Sequence, residues 1–208
     1  MSYGFLDIAM TPSVRAVQKS MQVDDFWFDF KGQRAFDRFS ENEARFIAER
    51  DSFYLATVSE SGWPYVQHRG GPRGFLTLVD ERTLACADFR GNRQYISVGN
   101  AVANERACLF LMDYAHRARL KMYVRIEVVA LEADPALTQL VSVPGYKARV
   151  ERILRMRLEA FDWNCPQHIT PRFTEEEITA AVLPLRERLQ ALEAENAELR
   201  QGWCSLAG

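Results

Sequence analysis

From Ser52 to Glu132 the chain alternates apolar and polar residues in short runs, each ended by a tight turn. A period of two puts successive side chains on opposite faces of an extended strand. Connections this short join antiparallel neighbours, because a parallel crossover needs about a dozen residues or more. Phe53–Val58 and Trp63–Arg69 flank Ser61-Gly62 as one hairpin. Phe75–Val79 and Thr83–Phe89 flank Asp80-Glu81-Arg82 as another, and Arg106–Met112 and Leu120–Glu132 follow as further strands. At least six strands with few long helices between them predict a mainly β protein with flanking helices, built on an antiparallel barrel.

Helical signals lie outside this block. Residues 1–39 read as an arm in which Thr11-Pro12 starts a helix with Val14, Val17 and Met21 on one face. Phe26-Trp27-Phe28-Asp29-Phe30 reads as an apolar plug on the core, or as an interface contact. Ser40 and Glu43 match a capping box opening a helix to about Arg50, expected to bury Ala44, Phe46 or Ile47, and Ala48. Gln94–Asn100 and Asp134–Val141 read as short helices. Residues 146–161 fit a helix through Val150, Ile153, Leu154, Leu158 and Phe161. They equally fit a strand through Leu154, Met156, Leu158 and Ala160.

The tail, residues 174–208, carries a heptad pattern. Ile178, Leu185, Leu192 and Leu199 fall at d, and Val182, Leu189 and Asn196 at a. Leu at d with a buried Asn at a favours a parallel dimer. Arg188 and Glu195 at g would face Glu193 and Arg200 at e of a partner. The alternative is an amphipathic helix lying on its own barrel, and Pro184 disfavours a continuous helix.

The formal net charge of −2 over 208 residues leaves no basic field for nucleic acid, so any anion site is local. No run approaches the roughly 20 apolar residues of a membrane span. The N-terminus lacks a leader-like pattern, and Cys86, Cys108, Cys165 and Cys204 have neither zinc-like nor disulfide-framework spacing. A cytoplasmic protein without a metal site is expected.

The chemistry concentrates in Ala87–Tyr95, where a strand gives way to a polar loop with arginines and then a helix. Amides at a helix N-terminus together with a guanidinium make a phosphate site. Arg69, beside Gly70 and Gly71, and Arg93, beside Gly91 and Asn92, would supply it if their strand ends are neighbours. Lys121 reads either as an outward barrel lysine or as a charge near an electron-rich ring. His68 and His168 lack acidic partners in sequence, and nothing near Cys165 lowers a thiol pKa. No catalytic triad emerges.

Residues 52–132 resemble the flavin-binding split barrel of the pyridoxamine 5′-phosphate oxidase family, through Val66-Gln67-His68-Arg69, Asp88–Tyr95, Asn104–Phe110 and Leu120-Lys121. Phe161–Ile169 resembles a signature of a bacterial branch of predicted flavin-nucleotide-binding proteins. The resemblance implies a six-stranded antiparallel split-barrel domain over 40–173 and a homodimer with FMN at the subunit interface. It implies FMN contacts from Gln67, His68, Arg69, Gly70, Asn92, Arg93, Gln94 and Lys121, and from Trp163, Gln167, His168 and Arg172 of one subunit or the other. It tips residues 151–161 towards a strand. The implied function is an oxidoreductase moving hydride between FMN and a small-molecule substrate. The alternative is a flavin or haem carrier or sensor on the same barrel. The oxidase usually has Arg-Lys where this chain has Arg93-Gln94, and its Arg-Leu-x-Pro type ending is missing here. FMN binding therefore carries over better than pyridoxamine phosphate oxidation.

Overall fold

The alternating stretches form seven antiparallel strands: β1 Ser52–Val58, β2 Pro64–Gly70, β3 Thr77–Asp80, β4 Thr83–Phe89, β5 Arg106–Asp113, β6 Ala118–Val129 and β7 Val150–Trp163. A computed structural model describes residues 4–24, 34–163 and 166–206, with backbone only at 34, 35 and 200–206. The aromatic segment Phe26–Phe30 and the residues Asn164 and Cys165 lie outside the described residues. The helices are α1 Phe5–Ala9, α2 Pro12–Ser20, α3 Glu41–Ala48, α4 Ile96–Ala103, α5 Pro135–Leu140 and α6 Glu175–Leu206. The chain divides into two compact units, one of residues 1–113 and 117–168, the other of residues 114–116 and 169–208.

In the first unit the strand order is β2-β1-β5-β6-β7-β4-β3. The seventh strand corrects the six-strand expectation. Residues 150–163, ambiguous by periodicity, pair with β6 on one side and β4 on the other. Leu154, Met156, Leu158 and Ala160 all turn inward and are buried. Only the strand register does this, and it leaves Arg155 and Glu159 free to pair outward with Glu127 at 2.7 Å and Arg125 at 2.5 Å.

The inner face of the sheet holds the main core, with Leu55, Leu84, Leu109, Leu111, Leu120 and Met122 each fully buried. β4 is buried on both faces. Leu84 and Cys86 enter the main core, while Ala85 and Ala87 pack under Leu137 and Val141 beside α5. Phe53 of β1 stacks on Phe75, just before β3, at 5.7 Å. The two ends of the strand order are thereby brought together, and the sheet closes on itself.

α3 caps this core as expected at its N-terminus: the Ser40 side chain and the Glu43 carboxylate form the capping box. Ile47 is fully buried, but Ala48 is exposed and Glu43 is buried in its place. The reason is Trp163 at the end of β7, whose indole donates to Glu43 Oε1 at 2.8 Å and whose ring meets Phe46 edge-on. At the other end of α3, Arg50 pairs with Asp113 at 2.9 Å and donates to the Met112 carbonyl. In the arm, Thr11 caps α2 as expected, but Val14, Val17 and Met21 are exposed. Contact with the sheet comes instead from Phe5 of α1, stacked on Tyr123 at 4.6 Å.

Burial pushes the Glu43 carboxyl up, but hydrogen bonds from the Ser40 hydroxyl, the Trp163 indole and the Ser40 amide outweigh it and hold the group below the usual carboxylate range. A depressed folded pKa stabilises the fold above the ordinary glutamate pKa and is lost as pH falls through the folded value. Trp163→Phe is therefore expected to cost about 2 kcal/mol near neutral pH. The gap to the parent chain should narrow as pH drops below about 4.3. Urea denaturation across that range checks it; a pH-independent gap would count against the assignment.

Candidate anion-binding site

Asp88 is a charged residue in the otherwise apolar β4, and it is buried, with 5% exposure. A carboxylate so placed needs cationic partners. It receives two. Arg69 of β2 pairs with Oδ1, and Arg152 of β7, its register neighbour, lies 3.5 Å from Oδ2. β2 and β4 are far apart in the sheet, so the Arg69–Asp88 pair spans the closure of the barrel. The strand ends carrying Arg69 and the 90–95 loop are thus neighbours.

The surroundings are rich in cations. Arg90 donates to Glu151 at 2.6 Å, and Arg152 also reaches Glu151 at 3.2 Å. The hydrogen bond from Arg90 does most to hold the Glu151 carboxyl below its ordinary range, with smaller help from Tyr95 and the charge of Arg152. The Arg152 guanidinium lies over the Tyr95 ring at 4.7 Å. Arg93 is exposed in the same loop. Three guanidiniums thus meet two carboxylates and Arg93 adds a further positive charge in the adjoining loop, a local positive excess on a chain of net charge −2.

Two features leave donors available. Arg69 Nε is buried and makes no hydrogen bond. No side chain caps the N-terminus of α4. That helix starts at Ile96, two residues later than the pattern predicted, because Arg93 and Tyr95 adopt left-handed backbone with φ of 63° and 52°. Asn92 fixes the loop: its Oδ1 accepts from the Gln94 amide at 3.1 Å and its Nδ2 donates to Gln94 Oε1 at 3.0 Å. Gln67, two residues before Arg69 and on the same face of β2, accepts from Ser97 Oγ at 2.7 Å. This bond ties β2 to the first turn of α4. Gln67, Arg69, Asn92, Arg93 and Gln94 are therefore collected around one strand-to-helix turn.

The remaining predicted site residues lie elsewhere. His68 is on the opposite face of β2 and meets Tyr54 edge-on at 5.6 Å. Gly70 pairs with Ser52, and a Cβ there would stand 3.1 Å from His68 Cε1. Lys121 faces outward on β6, paired with Asp162 at 2.7 Å and 4.8 Å over the Phe5 ring. Registers place His68, Tyr54, Phe110 and Lys121 in one row across the outer face. Trp163 is engaged with Glu43, and Gln167 and His168 are exposed beyond β7. Arg172 belongs to the second unit, its guanidinium 5.0 Å over Tyr114. Burial pushes the Cys86 thiol up to about 12, with opposite smaller effects from Arg69 and Asp88, so it is no nucleophile at neutral pH.

Sequence reading did not single out Ser97 and Arg152, and it gave Asp88 and Tyr95 no role of their own within the Ala87–Tyr95 stretch. Asp88 had a signal, a lone charge closing an apolar strand. Arg152 had none, since only the β4–β7 register brings it near.

A family model described as pyridoxamine 5′-phosphate oxidase matches residues 39–157, more than half of the chain. The chain belongs to the pyridoxamine 5′-phosphate oxidase family. Its closed seven-stranded sheet is accordingly a split β-barrel with flanking helices. All of the Asp88 cluster falls within the matched residues, whereas Trp163, Gln167, His168 and Arg172 fall beyond them. No curated protein matches the sequence. Among solved structures, the chain is similar to a Clostridium acetobutylicum protein related to general stress protein 26 of B. subtilis, of the pyridoxinephosphate oxidase family. Identity is 16%, with 66% of this chain and 94% of that one covered and a TM-score of 0.46. It is also similar to an FMN-binding protein from Syntrophomonas wolfei, at 15% identity, 71% and 97% coverage and a TM-score of 0.44. HutZ, the heme storage protein of Vibrio cholerae, matches at 13% identity, 60% and 94% coverage and a TM-score of 0.39.

Removing one charge from a buried pair leaves its partner uncompensated. Asp88→Asn is expected to lower unfolding free energy by about 3 kcal/mol. Chemical denaturation checks this, and an unchanged midpoint would show that Asp88 does not hold the two arginines.

Proposed function

We propose that the chain binds FMN through its 5′-phosphate at the Arg69–Asp88 cluster and acts as an FMN-dependent oxidoreductase. The observation that carries this reading is the buried, unsatisfied Arg69 Nε on β2, the strand that Gln67 ties to the uncapped first turn of α4. A buried donor without an acceptor costs about 1–3 kcal/mol. A phosphate oxygen would satisfy it. A dianion also suits the local excess of guanidinium charge, so the residues present fit the group. FMN, when bound, supplies hydride transfer at its isoalloxazine ring.

In this reading Arg69 and Arg93 hold the phosphate, and Asp88 and Arg152 fix the Arg69 guanidinium. Gln67, Asn92 and Gln94 set the shape of the turn. Gln94, which stands where the oxidase usually carries a second cation, adds hydrogen bonding in place of charge. The outer face with Tyr54, Val58 and Val66, exposed at 38%, 38% and 61%, supports pairing of two copies of the barrel with the cofactor between them. His68, Gly70 and Lys121 border that face. Trp163, Gln167, His168 and Arg172 are assigned to the cofactor from one subunit or the other. Among the described residues no helix is long and apolar enough to cross a membrane.

Purified protein is expected to show a flavin spectrum and to release FMN on denaturation; a Soret band in its place would favour a haem protein. Arg93→Ala, at an exposed position that leaves the Asp88 pairs intact, should weaken FMN by about 1.5–3 kcal/mol. Riboflavin, which lacks the phosphate, should be unaffected. Equal loss for both ligands would sink the phosphate assignment. Reduction of the bound flavin by NADH or NADPH, followed by turnover with an oxidant, distinguishes an enzyme from a carrier.

A further inference from the structure

We propose that α6 pairs with α6 of a second copy of this chain as a parallel, in-register coiled coil. α6 is a single helix of 32 residues, opened by a capping box in which Thr174 Oγ1 accepts from the Glu177 amide at 3.2 Å and Glu177 Oε2 from the Thr174 amide at 2.8 Å. Pro184 lies within it without ending it, against the sequence expectation. Every described residue of α6 up to Leu199 is exposed except Val182, which is half-buried. Leu185, Leu189 and Leu199 are exposed at 69%, 56% and 60%. Such a stripe of leucines in water loses a substantial hydrophobic stabilisation that a partner helix would restore.

The occupant follows from charge and symmetry. With Leu185, Leu192 and Leu199 at d and Leu189 and Asn196 at a, the g positions are Arg188 and Glu195. In a parallel pair each g side chain meets e of the next heptad across the seam. These e positions hold Glu193 and Arg200, so both cross-pairs are opposite in sign on each side of a two-fold axis. The same surface is its own complement, as an isologous interface requires. Asn196 Nδ2 now donates back to the Leu192 carbonyl at 3.0 Å. In the pair it would meet Asn196 of the partner subunit, which fixes the register and limits the assembly to two strands. Pairing starts after Pro184, whose missing amide and bulky ring interrupt regular packing.

Cross-linking of the full chain tests this. With Cys108, Cys165 and Cys204 changed to serine, Leu185→Cys and Leu199→Cys are introduced separately, and each protein is oxidised mildly. Both are expected to give a covalent dimer on a non-reducing gel, whereas Ala194→Cys, on the outward face of the helix, should not. Cross-linking at only one of the two leucine positions would indicate antiparallel pairing and overturn the proposal. So would none at either, or an equal yield at Ala194→Cys. Arg188→Glu in the Leu185→Cys chain should reduce the cross-linked fraction, and adding Glu193→Arg should restore it. Failure of FMN binding would leave these outcomes unchanged, so the two readings fail independently.

Discussion

Burying the Asp88 carboxylate would cost several kcal/mol without compensating cations. The compensation comes from two strands that are not its sequence neighbours: Arg69 on β2 and Arg152 on β7. One buried charge thereby links β4 to its neighbour β7 and, across the closure of the sheet, to β2. The same geometry leaves Arg69 with one donor unsatisfied. The Arg69 guanidinium is thus held through its ion pair with Asp88, while its buried Nε has no hydrogen-bond partner.

The sheet around this cluster packs it on several sides. β4 is covered on both faces, by the main core and by α5, so Asp88 cannot relax towards water by bending its strand. β7 pairs along most of its length with β6 and β4 and places Arg152 directly opposite Asp88. At the far end of β7, Trp163 seats α3 through Glu43. One long strand therefore serves both the Asp88 cluster and the helix that closes the core. Sites built on strands hold their geometry more closely than sites on loops, and here the loop residues Asn92 and Gln94 are tied to each other as well.

Local sequence determined a good deal. Alternation and turn residues marked six strands within a few residues of their observed ends, because both signals act over short distances. The Ser40–Glu43 capping box marked the start of α3 for the same reason. The strand-to-helix turn after β4 was legible, since the glycines and polar residues of the Arg69 and Arg93 segments announce it; the structure brings these segments together through the Arg69–Asp88 pair. The boundary of α4 was not legible: left-handed backbone at Arg93 and Tyr95 carries no signature in residues of those types.

What only the tertiary structure decided depends on pairing between distant segments. Residues 150–163 satisfied two periodicities, and the hydrogen-bonding edges of β4 and β6 selected the strand. Glu43 replaced Ala48 as the inward residue of α3 because an indole 120 residues away offered it a hydrogen bond. Arg152 joined the Asp88 cluster solely through strand register. The sequence by itself determined the antiparallel class, the helix caps at Thr11 and Ser40, and the strand-to-helix turn with its arginines. The closure of the sheet, and with it the meeting of Arg69, Asp88 and Arg152, came from burial of charge and backbone pairing that no local pattern encodes.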